Sequence, residues 1–135
     1  MKILGIESSS MAASAAVVAD DITSAEYTVN FKKTHSQTLL PMIDAIVTML
    51  ELDLAELDAI AISGGPGSFT GLRIGSATAK GLGMALDKPL IHVPTLDALA
   101  YNLYGASALL CPMMDARRNQ VYTGLYKKKK DLRVI

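Results

Sequence analysis

A chain of 135 residues is the size of one ordinary domain, and half of its residues are hydrophobic, enough for a sizeable core. Its 13 basic and 13 acidic residues cancel, which argues against the broad positive footprint of a general nucleic-acid binder. A single cysteine, Cys111, excludes an internal disulfide, no apolar stretch reaches membrane-spanning length and the first residues lack a signal-peptide pattern, so a soluble cytoplasmic protein is expected.

Residues 2–7 read as a buried strand with Ile3, Leu4 and Ile6 as its apolar residues, ending in the polar turn Ser8-Ser9-Ser10. Residues 12–19 and 22–30 make two further strands around an Asp20-Asp21 reversal, so the chain opens as an antiparallel meander. Glu7, at a strand end beside serines, is a carboxylate that turn N–H groups can satisfy; catalysis or metal binding is its alternative. A helix is expected from Thr34 or Ser36 to about Leu52, with Pro41 in its early part. Its apolar residues, among them Leu39, Met42, Ile43 and Ile46, cover a wider arc than one sheet face needs. The surplus points to a second neighbour, in this chain or in another.

A strand over residues 57–63 then leads into Ser63-Gly64-Gly65-Pro66-Gly67-Ser68-Phe69-Thr70-Gly71-Leu72-Arg73-Ile74-Gly75, the stretch around which the chain is organised. Glycines let the backbone turn and approach closely, Pro66 stiffens it, and Ser68 or Thr70 can cap the helix that follows. Such a turn either seats a phosphate or packs tightly on a neighbour. Gly65, Gly67, Ser68 and Thr70 are the residues that would contact a nucleotide, and the Lys-Ser/Thr ending of a P-loop is missing. Along the helix, Gly71, Gly75, Ala79 and Gly83 form a bare ridge at every fourth position. Each interior glycine costs about 1 kcal/mol against alanine, so the ridge needs a closely packed neighbour in this chain or in another subunit.

Residues 90–93 form a short strand carrying His92, read as structural, and a helix follows from Leu96 to about Leu103. The break at Gly105-Ala106-Ser107 divides a first domain, residues 1–105, from the opening strands of a second, residues 106–135. These strands are expected at 109–114 and 121–126, with Cys111 buried in the first and a turn from Asp115 to Gln120 between them. The lysine run 127–130 is read as a solvated loop, with a nucleic-acid contact as its functional alternative.

The order β-β-β-α-β-α-β-α followed by new strands resembles the actin/Hsp70/sugar-kinase superfamily, a ribonuclease H-like α/β fold with a mixed sheet and flanking helices. Four motifs narrow the resemblance. Ile3-Leu4-Gly5-Ile6-Glu7-Ser8-Ser9, His35-Ser36-Gln37-Thr38-Leu39-Leu40-Pro41, Gly65-Pro66-Gly67-Ser68-Phe69-Thr70-Gly71-Leu72-Arg73-Ile74-Gly75 and Met114-Asp115-Ala116-Arg117-Arg118 are similar to the TsaB (YeaZ) family over essentially the whole chain.

That resemblance implies an accessory scaffold that pairs with a TsaD-like paralogue and works with a TsaE-like ATPase. Together they place a threonylcarbamoyl group on adenosine 37 of tRNA, which this subunit would meet only indirectly. No catalytic residue, metal or required cofactor is implied here, and ATP or ADP binding would at most be weak. TsaD carries paired histidines on its first helix, whereas here His35 is followed by Gln37, Leu39 and Leu40. Glu7 stands where the family usually has Asp, and family members continue through a complete second domain whereas this chain ends at Ile135. A nucleotide-binding hydrolase, a peptidase of the same superfamily and a sugar-kinase-like transferase are the alternatives. The helix residues Leu39, Met42, Ile43 and Ile46, with the ridge Gly71, Gly75, Ala79 and Gly83, are expected to form the partner interface. A homodimer would use the same surface in the partner's absence.

Overall fold

The computed structural model describes residues 1–31, 34–128 and 132–134. Three strands, β1 (Lys2–Glu7), β2 (Ala13–Ala19) and β3 (Ile22–Val29), form the expected antiparallel meander. Helix α1 (His35–Met49) and a 3-10 turn (Leu54–Glu56) then lead to β4 (Ala59–Ser63). Helix α2 (Phe69–Leu86), strand β5 (Leu90–Val93) and helix α3 (Thr95–Tyr101) complete the first part. The sheet order is β3-β2-β1-β4-β5, with β4 parallel to both β1 and β5. This mixed sheet with flanking helices is the actin-like, ribonuclease H-like arrangement the motifs implied.

Alternation decides which face of the sheet is covered. Leu4 and Ile6 of β1, Ala13, Ala15 and Val17 of β2, and Ile60 and Ile62 of β4 are buried together with Leu39, Met42, Ile43 and Ile46 of α1. The side chains at positions 39, 42, 43 and 46 follow the helical period, so α1 presents one stripe to the sheet. Its remaining apolar residues explain the wide arc: Val47 and Leu50 pack against the same core, while Leu40 and Met49 stay exposed. Pro41 lies in the second turn of α1 rather than the first, on the exposed side, where the carbonyl left without its N–H partner meets water.

The chain after α3 departs from the expected strand positions. Strand β6 is Met113–Arg117 and β7 is Gln120–Thr123, so the first strand begins after Pro112 instead of running through it. The expected six-residue turn shrinks because Arg117, Arg118 and Asn119 adopt positive φ angles of 64°, 52° and 58° and reverse the chain tightly. The Asp115 carboxylate accepts the Arg117 N–H at 2.7 Å. Two short strands follow, β8 (Tyr126–Lys128) and β9 (Leu132–Val134), paired antiparallel. Of the lysine run, Lys127 is exposed on β8, while Lys129 and Lys130 lie outside the described residues. Cys111 is exposed, not buried, and its Sγ lies 3.3 Å from Thr123 Oγ1, because the segment around it joins elements instead of crossing a core.

A small second cluster ties this segment to α3. Ala100, Leu110 and Tyr126 are buried together, and Leu110 and Tyr126 exchange both backbone hydrogen bonds at 2.9 Å. The Tyr126 hydroxyl donates to the Asp97 carboxylate at 2.7 Å. Burial, reinforced by that hydrogen bond to an anion, pushes the phenol up to about 12. No helix among the described residues is long and apolar enough to cross a membrane.

Candidate functional site

The serine turn after β1, the glycine-rich loop after β4 and the first turns of α1 and α2 converge on one knot. Ser68 caps α2, its Oγ accepting the Gly71 N–H at 3.2 Å, and its own N–H donates to the Ser9 carbonyl at 2.6 Å. Ser8, fully buried, donates from Oγ to the Gly71 carbonyl at 2.9 Å. Its N–H approaches Ser63 Oγ at 3.4 Å, and Ser63 is itself 6 % exposed. His35, at the start of α1, places Nε2 2.8 Å from the Ser10 carbonyl. The Glu7 carboxylate accepts the Ser9 N–H, the turn-satisfied role its position suggested.

Glycine is required in this knot by close approach. A Cβ at Gly67 would stand 2.4 Å from the Ser9 carbonyl oxygen, and one at Gly71 would stand 2.0 Å from that of Ser8. At Gly75 it would meet Ser8 Oγ at 2.1 Å. The ridge therefore lets α2 lie directly on the serine turn and on β4, and at Gly83 on Leu90 of β5. On the far side of the loop, Thr95 accepts the Gly65 N–H through Oγ1 at 3.1 Å and returns its own N–H to the Gly65 carbonyl at 2.8 Å.

This geometry redistributes the expected site residues. Gly65, Gly67 and Ser68 lie together as expected, but each is engaged within the chain, by Thr95, Ser9 and Gly71 respectively; Thr70 is exposed. All eight expected interface residues are buried within this chain: Leu39 (1 %), Met42, Ile43 and Ile46 of α1, and Gly71, Gly75, Ala79 (0 %) and Gly83 of α2. Of the two neighbours the sequence allowed, the internal one covers them. What the two helices expose is the opposite set, including Leu40, Asp44, Thr48 and Met49 on α1 and Phe69, Arg73, Lys80 and Met84 on α2.

Three participants were not legible beforehand. Thr95 and Ser63 are ordinary hydroxyls in sequence, and only the parallel pairing of β4 with β5 brings Thr95 under the loop. His92 stacks so close to Gly64 that a Cβ there would fall 1.7 Å from Nε2; a histidine 28 positions away gives no signal of that contact. Among the described residues, no group of three or more His, Cys, Asp or Glu side chains stands where it could hold a metal ion.

Residues 26–134 match the family described as TsaD, tRNA N6-adenosine threonylcarbamoyltransferase. The chain is 39% identical over 132 residues to the tRNA threonylcarbamoyladenosine biosynthesis protein TsaB of Bacillus subtilis (strain 168), covering 98% of this chain and 58% of that protein. To the TsaB of Escherichia coli (strain K12) it is 36% identical, over 95% of this chain and 56% of that protein. The solved structure of YeaZ from Pseudomonas aeruginosa superimposes with a TM-score of 0.89 at 32% identity, covering 99% of this chain and 64% of that one. The chain thus spans somewhat more than half the length of these relatives.

Proposed function

The chain belongs to the TsaD family, on its TsaB (YeaZ) side, and from that premise we propose that it acts as a scaffold subunit in threonylcarbamoyladenosine formation on tRNA. It docks a TsaD-like paralogue, which carries the chemistry, and contributes none of its own. The observation that carries this reading is the 39% identity to a TsaB across 98% of the chain, joined to the knot in which Ser8, Ser68, His35 and Glu7 each have a structural task. Ser8 and Ser68 hold α2, His35 holds the Ser10 carbonyl and Glu7 holds the Ser9 N–H. A nucleophile or general base needs a group free to exchange protons with a substrate, and these are committed to backbone. For the same reason the glycine loop serves packing first, and any ATP or ADP binding there is weak and not required.

The docking surface is the outer face of α1 and α2, not the residues between them and the sheet. Leu40 (54 %) on α1 and Met84 (85 %) on α2 are large apolar side chains left in water on two adjacent helices. A pair of helices with such a face is suited to a helix bundle across an interface. Without the paralogue the same face makes a homodimer; TsaE joins through the assembled pair, and tRNA is met only through the partner.

The test is co-purification with a TsaD-like paralogue. The wild-type chain is expected to capture it. Leu40→Asp and Met84→Asp are expected to abolish capture while leaving the melting temperature within about 2–4 °C, since neither side chain is buried. Ile22→Asp, equally exposed but on β3, leaves capture intact. A wild-type chain that fails to bind, or binding indifferent to both helix variants, overturns the proposal.

A further inference from the structure

A second surface, on the flank of α2 that overhangs β5, has a different character. Here an open cavity of about 520 Å³ lies between α2 and the ends of β4 and β5. Ile62 and Leu72 are among its apolar lining, and Ser63, Arg73, Ser76, Lys80 and His92 supply its polar side chains. Positions 69, 73, 76 and 80 recur at helical spacing, so one stripe of α2 faces the cavity. No carboxylate lines it, although the chain as a whole is neutral.

The cations are held ready but unpaired. The Arg73 guanidinium lies over the Phe69 ring, 3.9 Å from its centroid, so its face is occupied while its in-plane N–H edge is free. Among the described residues neither Arg73, Lys80 nor His92 has a hydrogen-bonding or ionic partner. His92 is fixed by its ring's contact with Gly64. Arg73 and Lys80 stand two helical turns apart, about 10 Å along the axis, and both side chains are long enough to converge above Ser76. A single phosphate would engage one of them; a ligand with linked anionic groups engages both.

We infer that this cavity binds a small diphosphate, held by Arg73 and Lys80 with Ser76 and His92 as hydrogen-bonding neighbours. The cavity borders the docking face, since Met84 follows Lys80 by one turn of α2, but the inference concerns a ligand on this chain alone, so calorimetry and partner capture fail separately. The diphosphate comes either free or as part of a nucleoside diphosphate, whose body would rest on Ile62 and Leu72.

Titration calorimetry of the full chain at low ionic strength, with inorganic phosphate, pyrophosphate and ADP as probes, tests it. Pyrophosphate is expected to bind about ten-fold or more tightly than phosphate and to weaken as salt is raised. ADP tighter than pyrophosphate identifies a nucleoside diphosphate; equal affinities identify the free ion. Arg73→Gln and Lys80→Gln should each weaken pyrophosphate about ten-fold, whereas Thr70→Ala on the glycine loop's helix start should not. No binding of pyrophosphate or ADP at millimolar concentration overturns the inference. So does binding that Thr70→Ala removes and the Arg73 and Lys80 variants do not.

Discussion

The knot around Ser8 and the cluster around Tyr126 are held together in opposite ways. In the knot, backbone meets backbone: three glycines admit the serine turn, the hydroxyls of Ser8 and Ser63 bond to main-chain groups across more than fifty positions of sequence, and the Ser68 N–H reaches the Ser9 carbonyl over a similar span. Around Tyr126 one large side chain bears the contact, backed by Ala100, Leu110, one carboxylate and a single two-bond bridge. Beyond it, β6 and β7 form a two-stranded sheet whose residues are mostly exposed. A two-stranded unit is marginal on its own, whereas the five-stranded sheet under the knot buries a continuous core. The difference teaches that closeness of backbone locks the knot above a core that bulky side chains fill, whereas the segment after α3 hangs on one bulky side chain.

If that is right, the largest single effect comes from the smallest substitution. Gly71→Ala sets a Cβ 2.0 Å from a main-chain oxygen that cannot swing away, so the cost should reach or exceed the ~1–3 kcal/mol of ordinary overpacking. Urea denaturation measures it. Gly81→Ala, on the same helix, meets nothing within 4 Å and should instead stabilise by about 0.5–1 kcal/mol through helix propensity. Equal effects at the two glycines would break the comparison at its strong end. Next in size, Ser8→Ala removes a buried donor from the Gly71 carbonyl and should cost about 0.5–1.5 kcal/mol by the same melt.

How much of this was legible beforehand follows the range of the interactions. The strands of the meander, α1, α2 and β5 were readable because period-two and period-3.6 patterns are local. The ridge was readable as a ridge, since glycine at every fourth helical position has one physical meaning, close approach. Its partner was not, because nothing local says that the serine turn after β1 will lie beneath Gly71 and Gly75. The surplus apolar residues of α1 misdirected for a related reason: Leu39 and Ile43 look the same whether a sheet or another subunit covers them. Past residue 105 the pattern itself failed. Pro112 cut one expected strand, and three consecutive residues at positive φ, none of them glycine, made a turn that residue preference does not announce.

The smallest effect belongs to Tyr126 and tests the weak end. Tyr126→Phe keeps the buried ring, 4 % exposed in the wild type, and deletes only the hydroxyl that donates to Asp97. The expected loss is about 1 kcal/mol and local: amide exchange across residues 106–128 should quicken while that of β1 and β4 is unchanged. Alkaline titration gives the same answer from another side. The phenol is held protonated in the fold, up to about 12 against an ordinary value of 10.0, so its contribution is complete below pH 10 and is lost as pH rises toward 12. The segment after residue 105 should therefore open across that window in the wild type and show no such dependence in the phenylalanine variant. Were β1 and β4 to open with it, the Tyr126 cluster would be one cooperative unit with the knot. The contrast between a backbone-locked knot and a side-chain-tethered extension would then fall.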